Sequence, residues 1–360
     1  MGTIRKVALC FLLLLMQFSL FACENNFHKA DISLYKTELV EVQAHSGAAY
    51  FLSNDGALYC TGVDSDTASF VVYQNPINGL VAENVTSFGE IPGGGYYIDR
   101  DHDLYIWNEN SLPVYGYTKK GTHAKILDNV IFAAAYSHCI IYIDKNSNLY
   151  LMGTFHEQEY SVDNPKLLAK NVSCADINNG IIIWANINGG FGSYGKTNSA
   201  MLIELNSHFS NSDITDICIT SEFVTVLSNN QLWYYGDYSK LTTGDASGII
   251  KLTQLGGEIK SFSCSRRTIF ALDSNLNAWI WGACVSNDAQ NTKSPQFEYY
   301  NNFCLAENVI NVFVSDSSIC YVDKNGSSNI FYSSGWPEFY GNSTNDLCVG
   351  IKREPNTWIN

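Results

Sequence analysis

The chain has 360 residues, a formal net charge of −14, and 16% charged residues against about 25% in typical soluble domains. Affinity for nucleic acid comes mainly from cations that displace counterions, and the basic runs here are no longer than pairs such as Lys119-Lys120 and Arg266-Arg267. An acidic chain of this kind is a poor binder of nucleic acid, and no nucleic-acid partner is expected.

The first predicted element is an export signal over residues 1–22. Arg5 and Lys6 lead into an almost wholly apolar stretch from Val7 to Phe21, interrupted by Gln17 and Ser19. A basic start, an apolar run of this length and a small residue at its end suit a secretory signal better than a membrane span. The stretch ends Leu20-Phe21-Ala22-Cys23. It resembles the bacterial lipobox, which implies lipidation of Cys23 as the first mature residue. Residues 23–34 are then a lipidated cysteine with a loose tether, and the expected location is the cell envelope, on a membrane.

Residues 35–360 read as one all-β domain. Aromatics reach 13%, and short strand-like runs are separated throughout by Asn, Asp, Gly and Ser. Beyond the signal, no segment shows a sustained i, i+3, i+4 apolar pattern. A short motif recurs seven times, as LYCTG from Leu58, LYIWN from Leu104, LYLMG from Leu149, FGSYG from Phe191, LWYYG from Leu232, AWIWG from Ala278 and FYSSG from Phe331. Successive starts lie 46, 45, 42, 41, 46 and 53 residues apart. An apolar pair precedes each motif, for example Leu39/Val42, Val85/Phe88 and Ile214/Ile217. From the second member of each pair to its motif the interval is 16, 16, 16, 16, 15, 16 and 19 residues.

Between the two marks lies a middle strand, such as Tyr50 to Leu52 or Phe223 to Leu227, followed by a tight turn. After the motif come a polar loop and a weaker fourth strand, such as Phe70 to Tyr73 or Ile249 to Leu252. The C-terminal run Leu347 to Ile351 could supply the last of these. Four antiparallel strands in about 46 residues, repeated radially, predict a seven-bladed β-propeller.

The units resemble repeats of the regulator of chromosome condensation family. Asp55-Gly56 with Leu58-Tyr59 and Gly62 carries the likeness, as do Ser137-His138 with Leu149-Tyr150 and Gly153, and Trp281-Gly282. Asn108 replaces the motif glycine, and Ala278 opens the sixth motif. Nucleotide exchange on a small GTPase, which the resemblance implies through eukaryotic members, conflicts with export.

Asp99, Asp101 and Asp103 are spaced like the first ligands of a calcium loop, but Leu104 and Asn110 stand where such a loop needs Gly and Glu. Asp and Asn recur at this phase in other repeats, as tight hairpins require, so these are read as turns. No metal, cofactor or catalytic constellation is expected, and no nucleophile elbow, P-loop or dinucleotide fingerprint occurs. Cys174, Cys218 and Cys264 fall in or beside inner strands as small buried hydrophobes, and Cys284 with Cys304 is the one disulfide guess.

In a propeller, the loops joining first to second strands and third to fourth strands share one end. The second kind holds Tyr115, Tyr117, Phe155, Tyr160, Tyr238, Trp336, Phe339 and Tyr340. The first kind contributes Tyr136, Glu222, Arg266 and Arg267 nearer the channel. Exposed aromatics with Arg among polar loops have the composition of an interaction hot spot. The expected function is a non-catalytic binding module for an extracellular protein or glycan. The alternative is an envelope glycan hydrolase or lyase acting at the channel mouth.

Overall fold

The computed structural model describes residues 38–44, 48–62, 80–91, 94–108, 122–196, 199–237, 247–252, 257–285, 297–315 and 318–332. These form seven antiparallel sheets, the blades of a β-propeller. Blade 1 is β1 (Leu39–Ala44), β2 (Ala48–Ser53), β3 (Leu58–Gly62) and β4 (Leu80–Ala82); blade 2 is β5 (Val85–Ile91), β6 (Gly94–Asp99), β7 (Leu104–Asn108) and β8 (Thr122–Leu127). Blade 3 is β9 (Val130–Tyr136), β10 (Cys139–Asp144), β11 (Leu149–Phe155) and a split outer edge of β12 (Gln158–Tyr160) and β13 (Lys166–Ala169). Blade 4 is β14 (Val172–Asn178), β15 (Ile181–Asn186) and β16 (Phe191–Gly195), followed by helix α1 (Ser199–His208). Blade 5 is β17 (Ile214–Ile219), β18 (Phe223–Ser228), β19 (Gln231–Asp237) and β20 (Ser247–Lys251). Blade 6 is β21 (Ile259–Cys264), β22 (Thr268–Asp273), β23 (Asn277–Val285) and β24 (Phe297–Glu307). Blade 7 is β25 (Val309–Val314), β26 (Ser318–Asp323) and β27 (Ser328–Tyr332).

The recurring apolar pair sits on the innermost strand of every blade, and its interval to the motif is the length of two strands and a turn. Each inner strand carries a β-bulge after its first residue, as the shifts at Leu39/Glu41, Ile214/Asp216 and Val309/Asn311 show. The bulge turns one residue outward, so Ile131 and Ile310 are exposed while Val42, Ile217 and Val312 are buried. Buried residues gather into seven clusters, each filled from two consecutive blades. The cluster between blades 7 and 1, around Val42, Ala49, Cys320 and Val322, closes the ring.

One hydrogen bond repeats from blade to blade. The turn between second and third strands places a residue in the left-handed region, and its carbonyl accepts from the first inner-strand N–H of the next blade. The pairs are Gly56 with Val85, His102 with Val130, Ser147 with Val172, Asn230 with Ile259 and Leu276 with Val309. Gly326 with Leu39 completes the series at 3.3 Å across the closing seam. The backbone conformation at this position is fixed (Gly56 φ +92°, Leu276 φ +64°), but its side chain is free to vary. That is why the Asp55-Gly56 pair of the first repeat need not recur in the others for the blade to form.

Three expectations are corrected. In blade 7 the residue equivalent to Leu58 is Ser328, paired with Val322 as Leu58 is with Leu52, not Phe331. This restores the 16-residue interval from Val312, and the motif glycine position is taken by Tyr332. Blade 4 carries a helix after its third strand; only Met201 and Leu205 of its ten residues are buried, too weak a stripe to notice in sequence. Asn206 does an outer strand's work there, accepting from Phe191 N–H at 2.7 Å and donating to Phe191 C=O at 3.1 Å. Cys284 and Cys304 cannot form a disulfide, because Cys284 pairs with Glu298 and Cys304 with Trp279, about five ladder positions apart. The predicted strands at Phe70 to Tyr73 and Leu347 to Ile351 lie outside the described residues, as do the signal, Cys23 and the tether; the observed fourth strand of blade 1 is β4.

Candidate functional site

Inner strands alternate, so the residues flanking each buried one face the propeller axis. They line a cavity of about 950 Å³. Its walls run from Glu41, Asp216 and Asn311 past Asp176, Cys218 and Ser263 to Tyr136, Asn179, Ser221 and Arg266. The last four lie at the turns between first and second strands, so the cavity reaches that end of the propeller.

The channel side chains are bonded across the blade seams. Gln43 Nε2 donates to Phe88 C=O at 3.3 Å, and Tyr96 Oη donates to Ala133 C=O at 2.9 Å. Asp176 Oδ2 accepts from Ile219 N–H at 2.7 Å. Ser263 Oγ accepts from Val314 N–H at 3.1 Å, and Asn311 Oδ1 accepts from Val42 N–H at 3.3 Å. Between blades 3 and 4 the link is nearer the surface, where His156 Nε2 meets Gly180 C=O at 2.8 Å. The channel polarity thus satisfies main-chain groups that the curved ring leaves without strand partners.

Three carboxylates share the channel. Burial pushes Asp176 up to about 6, against main-chain bonds from Ile219 and Ile177 and a thiol bond from Cys218. Burial, with the charge of Asp176 nearby, pushes Asp216 up to about 7. Burial also raises Glu41, partly offset by its bond from Gln43. Each side chain keeps partial exposure to the channel and is enclosed by protein elsewhere. These acids were not picked out in the sequence, although each is a lone carboxylate inside an inner strand, beside the apolar pair.

Of the predicted binding residues, the structure brings Tyr136 and Arg266 to the cavity. Tyr136 is 39% exposed. Arg266 donates through Nε and Nη2 to Glu222 Oε1 at 3.2 Å each, tying blade 6 to blade 5 at the rim. Arg267 is half-buried next to it. Tyr160 lies away from the mouth on the outer edge of blade 3, bonded to Gln158, with Tyr194 at 3.2 Å and Lys166 at 3.3 Å. Lys166 also donates to Tyr194 Oη at 2.6 Å, and this bond pulls the Tyr194 phenol down.

Phe155 is a correction. It is 4% exposed and stacks on Tyr194 at 5.5 Å, because it ends β11 on the face turned toward blade 4. Tyr115, Tyr117, Tyr238, Trp336, Phe339 and Tyr340 lie outside the described residues.

At the opposite end, Asp99 Oδ1 accepts from the N–H groups of Asp101 at 3.0 Å and Asp103 at 2.9 Å. Asp144 and Asp323 make the same pair of bonds, so the aspartate turns are built as turns. Asp103 also holds Lys125 at 2.6 Å. Among the described residues, no group of three His, Cys, Asp or Glu side chains is placed to hold a metal ion.

No family model matches the chain, and no curated protein does. Solved structures do. Prp20p from Saccharomyces cerevisiae is 12% identical, with a TM-score of 0.55 over 76% of this chain and 80% of its own. Yeast RCC1 (Prp20) bound to Kap60 is 11% identical, with a TM-score of 0.57 over 77% and 78%. Human WBSCR16 is 15% identical, with a TM-score of 0.51 over 66% and 72%. At such identity the likeness is one of fold. The chain is a seven-bladed β-propeller, and its blades are arranged like those of the regulator of chromosome condensation.

Proposed function

We propose that this chain is an exported, lipid-anchored propeller that acts as a non-catalytic binding module for an extracellular protein or glycan. It binds at the end that the cavity reaches. The observation that carries this reading is the rim itself, where exposed Tyr136 stands with the Arg266–Glu222 pair over a cavity of about 950 Å³. An exposed ring and a guanidinium around a concave centre match the composition of protein hot spots. Prp20p is described with binding properties to Gsp1p and histones, and Prp20 has been solved with Kap60, so propellers of this shape serve as protein-binding surfaces. The anchor rests on Cys23 at the end of the apolar signal.

A second reading is a glycan hydrolase or lyase using Asp176 and Asp216. The raised pKa of both acids favours it, since a general acid must hold its proton near neutrality. Against it, Asp176 is engaged by main-chain N–H groups.

The binding reading is tested by titrating envelope glycans and extracellular proteins into the wild type and a Tyr136→Ala/Arg266→Ala variant. The double change is expected to weaken a bound ligand at least tenfold, which is about 1.4 kcal/mol. Unchanged affinity removes the rim from the site. Turnover of a glycan, abolished by Asp216→Asn, would establish the second reading instead. Cys23→Ser is expected to abolish uptake of labelled lipid; a wild type that takes up none overturns the anchor.

A further inference from the structure

The seam between blades 5 and 6, tied at the rim by Arg266 and Glu222, carries two cysteines deeper in the channel wall. Cys218 lies on β17 and Cys264 on β21, and both line the cavity. Cys218 pairs in register with Thr225 of β18, and Cys264 Sγ reaches back across the seam to Thr225 Oγ1 at 3.4 Å. Both cysteines thus meet the same Thr225 side chain and pack against the same buried cluster between blades 5 and 6. Thr225 itself is fully buried on the middle strand of blade 5. Both cysteines are reduced in this structure and partly exposed to the channel.

We propose that Cys218 and Cys264 are a disulfide site that covalently staples blade 5 to blade 6 in the channel wall. The physiological relevance of the bond rests on the export reading, since disulfides persist in oxidising compartments. The chemistry needs a disulfide oxidant, either a small-molecule disulfide or an oxidised dithiol protein. Cys218 loses its proton, and its sulfur attacks one sulfur of the oxidant. The oxidant's S–S bond breaks, one of its thiols leaves, and a mixed disulfide remains. Cys264, deprotonated in turn, attacks the Cys218 sulfur of that mixed disulfide and expels the second thiol. The two protons end on the two released thiols, so two cysteines are oxidised and one disulfide is reduced. The reaction is expected to be slow at neutral pH, because the contact with Cys264 and burial hold the Cys218 thiol well above its ordinary pKa. Oxidation also removes the thiol that Cys218 donates to Asp176, so the staple changes the hydrogen bonding of a channel acid.

The test incubates the purified full chain with glutathione disulfide and maps its peptides without reduction. The expected product is a single crosslink between the peptides containing Cys218 and Cys264, with a mass loss of about 2 Da. Closing this loop is expected to raise Tm by about 5 °C, reversibly with dithiothreitol. Cys218→Ser and Cys264→Ser should each abolish both changes. A linkage of either cysteine to a different one overturns the proposal, as does full alkylation of both after oxidation. A stable glutathione adduct on Cys218 also overturns it, because the second thiol would then be out of reach. The peptide map on the wild type decides even if a serine variant folds poorly. It is independent of ligand binding, so it can fail while the binding reading stands.

Discussion

Replacing Asp273 by alanine is expected to destabilise the ring by about 4 kcal/mol, the largest effect of any single aspartate in the turns. Asp273 is fully buried at the end of β22. Its Oδ1 accepts from Asn275 N–H at 2.9 Å and Asn277 N–H at 2.8 Å. Its Oδ2 accepts from the Trp279 indole at 2.9 Å and from Asn277 Nδ2 at 3.1 Å. Alanine leaves four donors behind, and the indole, on a side chain only 6% exposed, has little access to water. The damage also spreads, since the same turn presents Leu276 C=O to Val309 of the next blade at 2.8 Å. Asp99→Ala removes a partly exposed carboxylate that accepts from two N–H groups of its own turn, and is expected to cost about 1 kcal/mol. Urea unfolding of the two variants checks the ordering. Equal losses would mean that the buried indole bond contributes little.

The second large effect concerns pH. Asp216 and Asp176 have folded pKa values of about 7 and about 6, both above the ordinary carboxylate value. In that range the folded state holds protons that the unfolded chain has released. The stability they contribute is therefore fully present below about pH 4 and is lost as pH rises through 6 to 7. The channel partly exposes both groups, so the full conversion of such shifts overstates the effect. We expect the wild type to be about 2 kcal/mol less stable at about pH 8 than at about pH 5 through these two groups. Asp216→Asn removes one charge and relieves its neighbour, and is expected to recover most of that loss at about pH 8 while changing little at about pH 5. Denaturant midpoints at the two pH values check it. An asparagine variant less stable at both would mean that the Asp216 carboxylate is needed in its charged form.

The fold was legible because each blade must spend the same length on two strands and a turn, so apolar pair and motif keep their phase even where the residues drift. Blade 7 was misphased for a physical reason. Ser328 fills a core position that is apolar in the other blades and Tyr332 takes the motif glycine's place, while Phe331 and Gly335 mimic the motif three residues later. The helix was illegible because ten residues with two buried side chains leave almost no periodic trace. The candidate site was legible only at its rim. Loop phase placed Tyr136 and Arg266 correctly at the mouth, but it could not tell that the strand pleat turns Phe155 inward against Tyr194. The channel acids carried a usable signal, a single carboxylate in an apolar strand at Glu41, Asp176 and Asp216. No motif carries that signal, because those residues converge only when the ring closes.

The end of the propeller that meets a partner can be measured directly, by placing a photo-crosslinking amino acid at Tyr136 or at Lys145 in the full chain on intact cells. Tyr136 lies at the channel mouth, and Lys145 is exposed in the turn at the other end of the same blade. Irradiation is expected to give one discrete adduct from position 136 and none from position 145. An adduct from position 145 alone, or no difference between the two, would contradict binding at the channel mouth.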